Sequence, residues 1–592
     1  MLQRGATSAQ GTEHVNKSQD CTMHGLATID WVVIGVYLVG ITLVGLYAAH
    51  RAKTAASFFI SDRKYGSLLM TFLALGSGSH ADQAVTVAAK SYHVGVSGIW
   101  YQWSYLFTTP FYWVLAPVLR RMRAVTVSDF FEHRYDRSVS SLYAVFGVLQ
   151  MIVAIGLMLK GSGVMIEAVS GGQISAITAI AVMTVLFVTY GIAGGLNSSI
   201  YTDVIQGTLM IVLSFMIFPF ALARLGGMSG LREAVANPDM FRVVAHGEIN
   251  AFFIIVITLN ALVGWLAQPN VMLSSAGLTD TECRMGLVAG SIIKRICTVA
   301  WMLTGLCAVA MYAGRKIDVD QVYGLMARDL LPEIGAGWLG LFIAAMLASM
   351  MGACNALMVT GSALLVENIY RPFFVRGKSD RHYMWAGRSG ALLIVALAIF
   401  FAARLTSIVT GLEVFWKAAA MMGVAIWVGL VWRKATVAGC WAGTLMGLGV
   451  WLFTESFSLA GFTWDFNVTF AASLPQSMLW EGKLYLPCQM LMYLGTNLFI
   501  LVIVSLFTKQ VDAARLDRFY ACLRTPVSAN EPETTPFTLP EGVTPVPRLA
   551  WIDHPDFEIL RPSISSVVGF VVITIVVALM IFGVYWIFSL GQ

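Results

Sequence analysis

Between Gly66 and Tyr92 an apolar run is broken in its middle by Gly76-Ser77-Gly78-Ser79-His80-Ala81-Asp82-Gln83. Uninterrupted, the run is long enough for one membrane-spanning helix, which takes about 20 residues. Glycines, serines, a histidine and an acid at mid-depth are costly in lipid unless the backbone opens there and its freed polar groups line a cavity inside the protein. Small residues alone would serve close helix packing, which accounts for Gly76 and Gly78 but not for His80, Asp82 and Gln83. An opened helix at the bilayer midplane is where secondary transporters hold ions and solutes.

The rest of the chain agrees with a membrane setting. Its 592 residues are 57% hydrophobic and 12% charged, with a mean hydropathy of +0.73, far too apolar for a soluble protein of this length. Apolar runs of about twenty residues recur near 29–49, 66–91, 97–119, 140–168, 174–194, 200–223, 250–275 and 286–314. They continue near 337–367, 384–405, 409–431, 436–456, 486–507 and 563–590. About fourteen spans result, and the alternation puts the basic loops at 50–64, 120–137, 371–381 and 433–434 on one side, inside by the positive-inside rule. The polar N-terminus, residues 1–27, then lies outside the cell (inner) membrane, followed by a first peripheral helix at 28–49. Net charge is only +5 and the cations sit beside spans, so membrane lipid and not nucleic acid is the expected surround.

A second interruption, Asn260-Ala-Leu-Val-Gly-Trp-Leu-Ala-Gln-Pro269, comes five spans after the first. Paired breaks at matching places point to an inverted-repeat transporter, here with repeats at 66–223 and 250–431. Peripheral helices follow at 436–507. Residues 508–562 are polar and rich in proline and read as a cytoplasmic linker rather than a folded domain, before a last helix at 563–590. The expected fold class is therefore an all-α polytopic membrane protein with a five-plus-five core containing two broken helices.

Several stretches carry a family resemblance: Ile29-Asp30-Trp31, Phe58-Phe59-Ile60-Ser61-Asp62-Arg63, Val125 through Tyr135, and Tyr190-Gly191-Ile192-Ala193-Gly194-Gly195-Leu196 running into Tyr201-Thr202-Asp203-Val204-Ile205-Gln206-Gly207. Together, within roughly residues 29–435, they resemble the sodium:solute symporter family, which includes sodium/glucose and sodium/proline carriers. The resemblance implies sodium-driven uptake of a small solute (a sugar, an amino acid or a carboxylate), with sodium as coupling ion and no other cofactor.

The same resemblance implies a sodium site between carbonyls of the first broken helix, at Gly76 and Ser79, and two hydroxyls of a later helix. Aligned through Glu367-Asn368-Ile369-Tyr370-Arg371, those two positions are Gly352 and Ala353; aligned through Ala344-Ala345 they are Ala348 and Ser349. Either way the full hydroxyl pair is missing, and a hard cation needs oxygen ligands. Asp203 falls at the family's acid near the ion exit path. Matching solute-site positions are Gln83, Gln102, Asn260 and Lys294, with Gln268 facing them from the second break; a further glutamine of the sugar carriers is Leu412 here.

Charged residues within spans leave alternatives open. Lys160 and Glu167 share a helix face about 10 Å apart, each expected to reach the interface alone. Glu413 and Lys417, four apart, suit an i,i+4 pair. Lys294, next to Arg295, suits either solute contact or extension toward the interface. His80 with Asp82 offers a titratable pair to a carrier coupled to protons. Three functions follow in order: a sodium-coupled symporter, a proton-coupled or uncoupled carrier of the same fold, and, remotely, a membrane solute sensor. No spacing of nucleophile, base and orienting acid suits an enzyme.

Overall fold

The computed structural model describes residues 26–49, 65–459, 462–529, 531–532 and 534–589. Within them the chain is an integral, multi-pass helical bundle. In order its main helices are α1 (Thr28–Ala49), α2 (Ser67–Gly78), α3 (Ala81–Val94), α4 (Thr109–Arg121), α5 (Val127–Arg134), α6 (Arg137–Val169) and α7 (Ala176–Ser214). Then come α8 (Ala251–Trp265), α9 (Asp280–Met311), α10 (Trp338–Ala363), α11 (Asp380–Arg404), α12 (Ile408–Met421) and α13 (Gly423–Val431). The last are α14 (Val437–Phe453), α15 (Leu486–Phe507), α16 (Ala513–Arg524) and α17 (Ile564–Ser589). Among the described residues eight helices are long and apolar enough to cross a membrane, and nine if α8 and the short helix Pro269–Ser275, bent by 72°, form one span. The boundary expected between spans 174–194 and 200–223 falls inside α7, where the side chains of residues 193–203 lie outside the described residues.

Both expected breaks are present. After α2 the backbone turns extended at Ser79 (φ −128°, ψ 117°) and His80 (φ −135°, ψ 163°) before α3 begins. The second break passes through Gln268 (ψ 128°) into Pro269, whose missing N–H and fixed φ cannot continue a helix. Each break strands helix-end carbonyls that need donors from elsewhere.

The seam that positions the first break is made of glycines on α9. A Cβ at Gly290 would stand 2.8 Å from the Thr71 carbonyl and 2.9 Å from Ala74 Cβ on α2; one at Gly305 would collide with the Ala88 backbone on α3. Small residues thus bring α9 against both halves of the broken helix, the usual device where lipid supplies no hydrophobic drive. Gly290→Val is expected to cost about 1–3 kcal/mol by overpacking, read as a lower denaturation midpoint in detergent, with Gly583→Val, where nothing stands within 4 Å of the added Cβ, unchanged. Asp30 of the Ile29-Asp30-Trp31 motif ties the start of α1 to α10, its carboxylate accepting from the Gly340 amide at 2.8 Å.

The segment 508–562 departs from the expected linker. Its α16 buries Leu516, Phe519, Tyr520 and Leu523, spaced i, i+3, i+4 and i+7 as an amphipathic helix requires, a stripe that the neighbouring prolines obscure in the sequence. Phe537 stacks on Phe519 and on His133, with ring centroids 4.7 and 5.1 Å apart. Arg123 pairs with Glu531, and Arg433, Arg524 and Arg548 converge on Glu558. The segment is docked on the basic loops.

Intramembrane charges also find partners other than those expected. Glu413 accepts from the Tyr101 hydroxyl at 2.9 Å while Lys417 pairs with Glu455 at 2.6 Å, so the i,i+4 pair does not form; partners distant in sequence give Glu413 a neutral donor and Lys417 a carboxylate. Lys160 lies within electrostatic reach of Asp320, in the loop before α10. Burial raises the Asp320 carboxyl above its usual value, while the Ile408 amide and Lys160 pull it down.

Candidate functional site

A cavity of about 170 Å³ lies between the two breaks, lined by α2, α3, α4, α6, α9 and α12. Of the sequence-derived solute residues, Gln83, Gln102, Gln268 and Lys294 line it together with His80. Asn260 does not. Its amide donates to the Trp416 carbonyl at 3.3 Å and its oxygen accepts from the Tyr493 hydroxyl, so it holds α8 to α12 and α15 behind the wall that Trp416 presents.

The helix break organises the cavity's polar side. The Gly78 carbonyl, freed at the end of α2, accepts the Lys294 ammonium and the Gln83 amide, the latter at 3.1 Å. A helix C-terminus carries partial negative charge, so a cation suits that place. Lys294 therefore reaches inward instead of toward the interface. Gln83 also meets His80 Nδ1 at 3.3 Å, and His80 Nδ1 stands 3.7 Å from Asp82 Oδ1. Asp82, 3% exposed, lies in the first turn of α3 and within electrostatic reach of Lys294.

At the expected ion site the Ser349 hydroxyl donates to the Ser79 carbonyl at 3.1 Å, joining α10 to the break with both residues buried. Gly76 is buried in the last turn of α2. Gly352 and Ala353 lie about one turn further along α10 and bring no side-chain oxygen, and the Ala348 side chain lies outside the described residues. The Asp203 side chain also lies outside them.

Residues that the sequence did not single out complete the walls: Tyr105, Tyr112, Trp265, Asn270 and Ser291, with Arg295 beside Lys294. Gln268 donates to the Tyr105 hydroxyl at 3.4 Å, and the Arg295 guanidinium lies 5.6 Å from the Tyr105 ring centroid. Gln102 and Tyr105, three residues apart, carry a helical spacing that marks one face. Leu412, at the position the resemblance assigns to a further glutamine, adds an apolar wall.

A family model for the Sodium:solute symporter family matches residues 58–447. The chain is 23% identical over 450 residues to the high-affinity proline transporter PutP of Bacillus subtilis, covering 73% of this chain and 93% of that protein. It is 21% identical over 476 residues to the sodium/glucose cotransporter of Vibrio parahaemolyticus, covering 74% and 87%, and 23% identical over 442 residues to the sodium/pantothenate symporter of Haemophilus influenzae, covering 70% and 88%. Among solved structures it resembles the substrate-bound outward-open state of a Na+-coupled sialic acid symporter, with a TM-score of 0.65 and 18% identity over 82% of this chain and 99% of that one.

Proposed function

Because the chain belongs to the sodium:solute symporter family, we propose that it is a secondary transporter taking up a small polar solute with sodium by alternating access. The observation that carries this reading is the Ser349–Ser79 contact: a buried hydroxyl and a freed carbonyl meet where the opened helix borders a polar cavity. Sodium, as co-substrate, would replace the hydroxyl proton's contact with direct oxygen ligation from both groups, as a hard cation requires. In this reading Gln83, Gln102, Gln268 and Lys294 hold the solute and Asp203 belongs to the ion path. The N-terminus faces outward across the cell membrane.

Transport follows when the pieces carrying α2, α3, α8 and α9 rock against the remaining core helices, exposing the cavity to each side in turn. Coupling needs sodium to favour the outward-open, solute-ready state, since an ion that binds all states equally shifts no population.

Two observations favour a second reading, a carrier coupled to protons or to no ion. Gly352 and Ala353 supply no hydroxyl, and the Lys294 ammonium already occupies the Gly78 carbonyl at the break. Thermal stability of the purified protein decides between them. An ion that binds only the folded state raises the melting temperature by mass action, so sodium chloride is expected to stabilise relative to choline chloride at equal ionic strength. Equal melting curves would overturn the sodium reading in favour of the second. Ser349→Ala is expected to raise the sodium concentration for half-maximal stabilisation about tenfold, equivalent to about 1.4 kcal/mol, with solute affinity at saturating sodium retained.

A further inference from the structure

The cavity's charge does not balance. Lys294 and Arg295 both line it, and among the described residues no carboxylate does. Lys294 has its compensation: the Gly78 carbonyl accepts from it, and Asp82 lies within electrostatic reach. Arg295 has none. Its side chain is held by the Gln102 carbonyl and faces the Tyr105 ring, and the ionisable groups around it are the phenols of Tyr105 and Tyr112. At 3% exposure it keeps a buried Nε without a hydrogen-bond partner among the described residues. A buried guanidinium without a counter-charge is expensive, and its planar fork of donors matches a carboxylate better than any neutral group.

A second group in the same wall stands in the complementary state. Gln83 spends its amide nitrogen on Gly78 and His80, leaving its Oε1 buried with no donor among the described residues. The cavity thus offers a cation for an anionic group and an acceptor for a neutral hydrogen-bond donor, while among the described residues no acid lines it to hold an ammonium. Its volume of about 170 Å³ is below the roughly 300–1,000 Å³ of sites for drug-sized ligands, so the occupant is small.

We propose that the solute is a small organic anion, a carboxylate bearing a hydroxyl, with Arg295 receiving the carboxylate and Gln83 Oε1 the hydroxyl. This rests on the cavity being the solute site of the carrier proposed above. Arg295 is then the residue that selects anions over neutral sugars and zwitterionic amino acids. The preference is large because a site built around an unpaired cation leaves that cation stranded when a neutral analogue enters.

The test uses the full chain purified in detergent and a series of three- to five-carbon 2-hydroxy acids, set against their own amides, the amino acids of the same skeletons, and glucose. Melting temperature is followed against concentration in sodium chloride and in choline chloride. The hydroxy acids are expected to stabilise at concentrations at least tenfold lower than their amides or the amino acids. Arg295→Gln is expected to weaken the acid at least tenfold and erase its advantage over the amide, with the stabilisation by sodium alone retained. If Arg295→Gln does not fold, the acid-against-amide comparison on the unaltered chain still decides. Amides, amino acids or glucose binding as well as the acids, or no compound in the series binding at all, overturns the proposal. Acid binding that is equal in sodium and choline sinks sodium coupling but sustains the anion assignment; a sodium shift with a preference for sugar or amino acid does the reverse.

Discussion

Arg134→Met is expected to destabilise the protein by about 3–5 kcal/mol, the loss of several hydrogen bonds from a charged donor at about 1.5–3 kcal/mol each. The side chain is fully buried, at the end of α5, and its guanidinium donates to the carbonyls of Gly429 at 2.8 Å, Trp432 at 2.7 Å, and Arg433 and Ala435 at 3.3 Å each. These are the carbonyls at and beyond the C-terminus of α13, which the helix cannot satisfy itself and whose partial negative charge favours a cation. The guanidinium also lies 4.7 Å from the Tyr135 ring centroid. Methionine fills comparable volume but supplies no donor; the Gly429 carbonyl keeps the Tyr520 hydroxyl and the Trp432 carbonyl keeps the Ala435 amide, while the Arg433 and Ala435 carbonyls lose the guanidinium, at about 1–3 kcal/mol for each left unsatisfied. Arg134→Lys keeps the charge but not the fork, and is expected to recover less than half of the loss. The measurement is a mixed-micelle denaturant titration of the three proteins; a methionine variant within 1 kcal/mol of the unaltered chain would overturn this account of α13's end.

Arg134 also shows what the sequence could and could not disclose. It lies in a loop motif, Val125 through Tyr135, that resembles the family, yet its partners are some 300 positions away and no local pattern encodes them. Local chemistry was readable: the break at Ser79 and His80 follows from polar residues and glycines inside an apolar run, and the bend before Pro269 from a proline that cannot extend a helix. Three of the four solute positions carried over from the resemblance, Gln83, Gln102 and Lys294, line one cavity together with Gln268 of the second break. Asn260 does not, because Trp416 and Tyr493, on helices far along the chain, take up its hydrogen bonds. The sequence marks Arg295 only as the neighbour of Lys294; the packing of α9 against α2 and α4 turns it inward to line the cavity. Glu413 and Lys417 make the same point, since an i,i+4 spacing permits a pair but does not compel one when Tyr101 and Glu455 stand closer to hand.

Glu558→Gln is expected to free the docked segment without unfolding the bundle. The Glu558 side chain is 2% exposed and meets Arg433 at 2.7 Å, Arg524 at 3.3 Å and Arg548 at 3.6 Å, while its backbone amide donates to the Val431 carbonyl at 2.8 Å. Glutamine has the same shape, so packing is preserved and only the charge is lost. Arg433 retains Asp517, but Arg524 and Arg548 lose their common buried counter-charge, and such a loss is far larger than for an exposed pair. Protease cleavage of a segment that opens and closes rapidly follows the population of the open form. Cleavage between 525 and 562 is therefore expected to accelerate about a hundredfold, corresponding to about 2.7 kcal/mol of docking free energy. Asp553 supplies the control: it stands 3.8 Å from Arg548 but its side chain is 98% exposed, so Asp553→Asn should leave the cleavage rate within twofold of the unaltered chain. Equal cleavage of the Glu558→Gln and Asp553→Asn variants would mean that Phe537 stacking on Phe519 and His133, together with the Arg123–Glu531 pair, holds the segment without help from the arginine cluster.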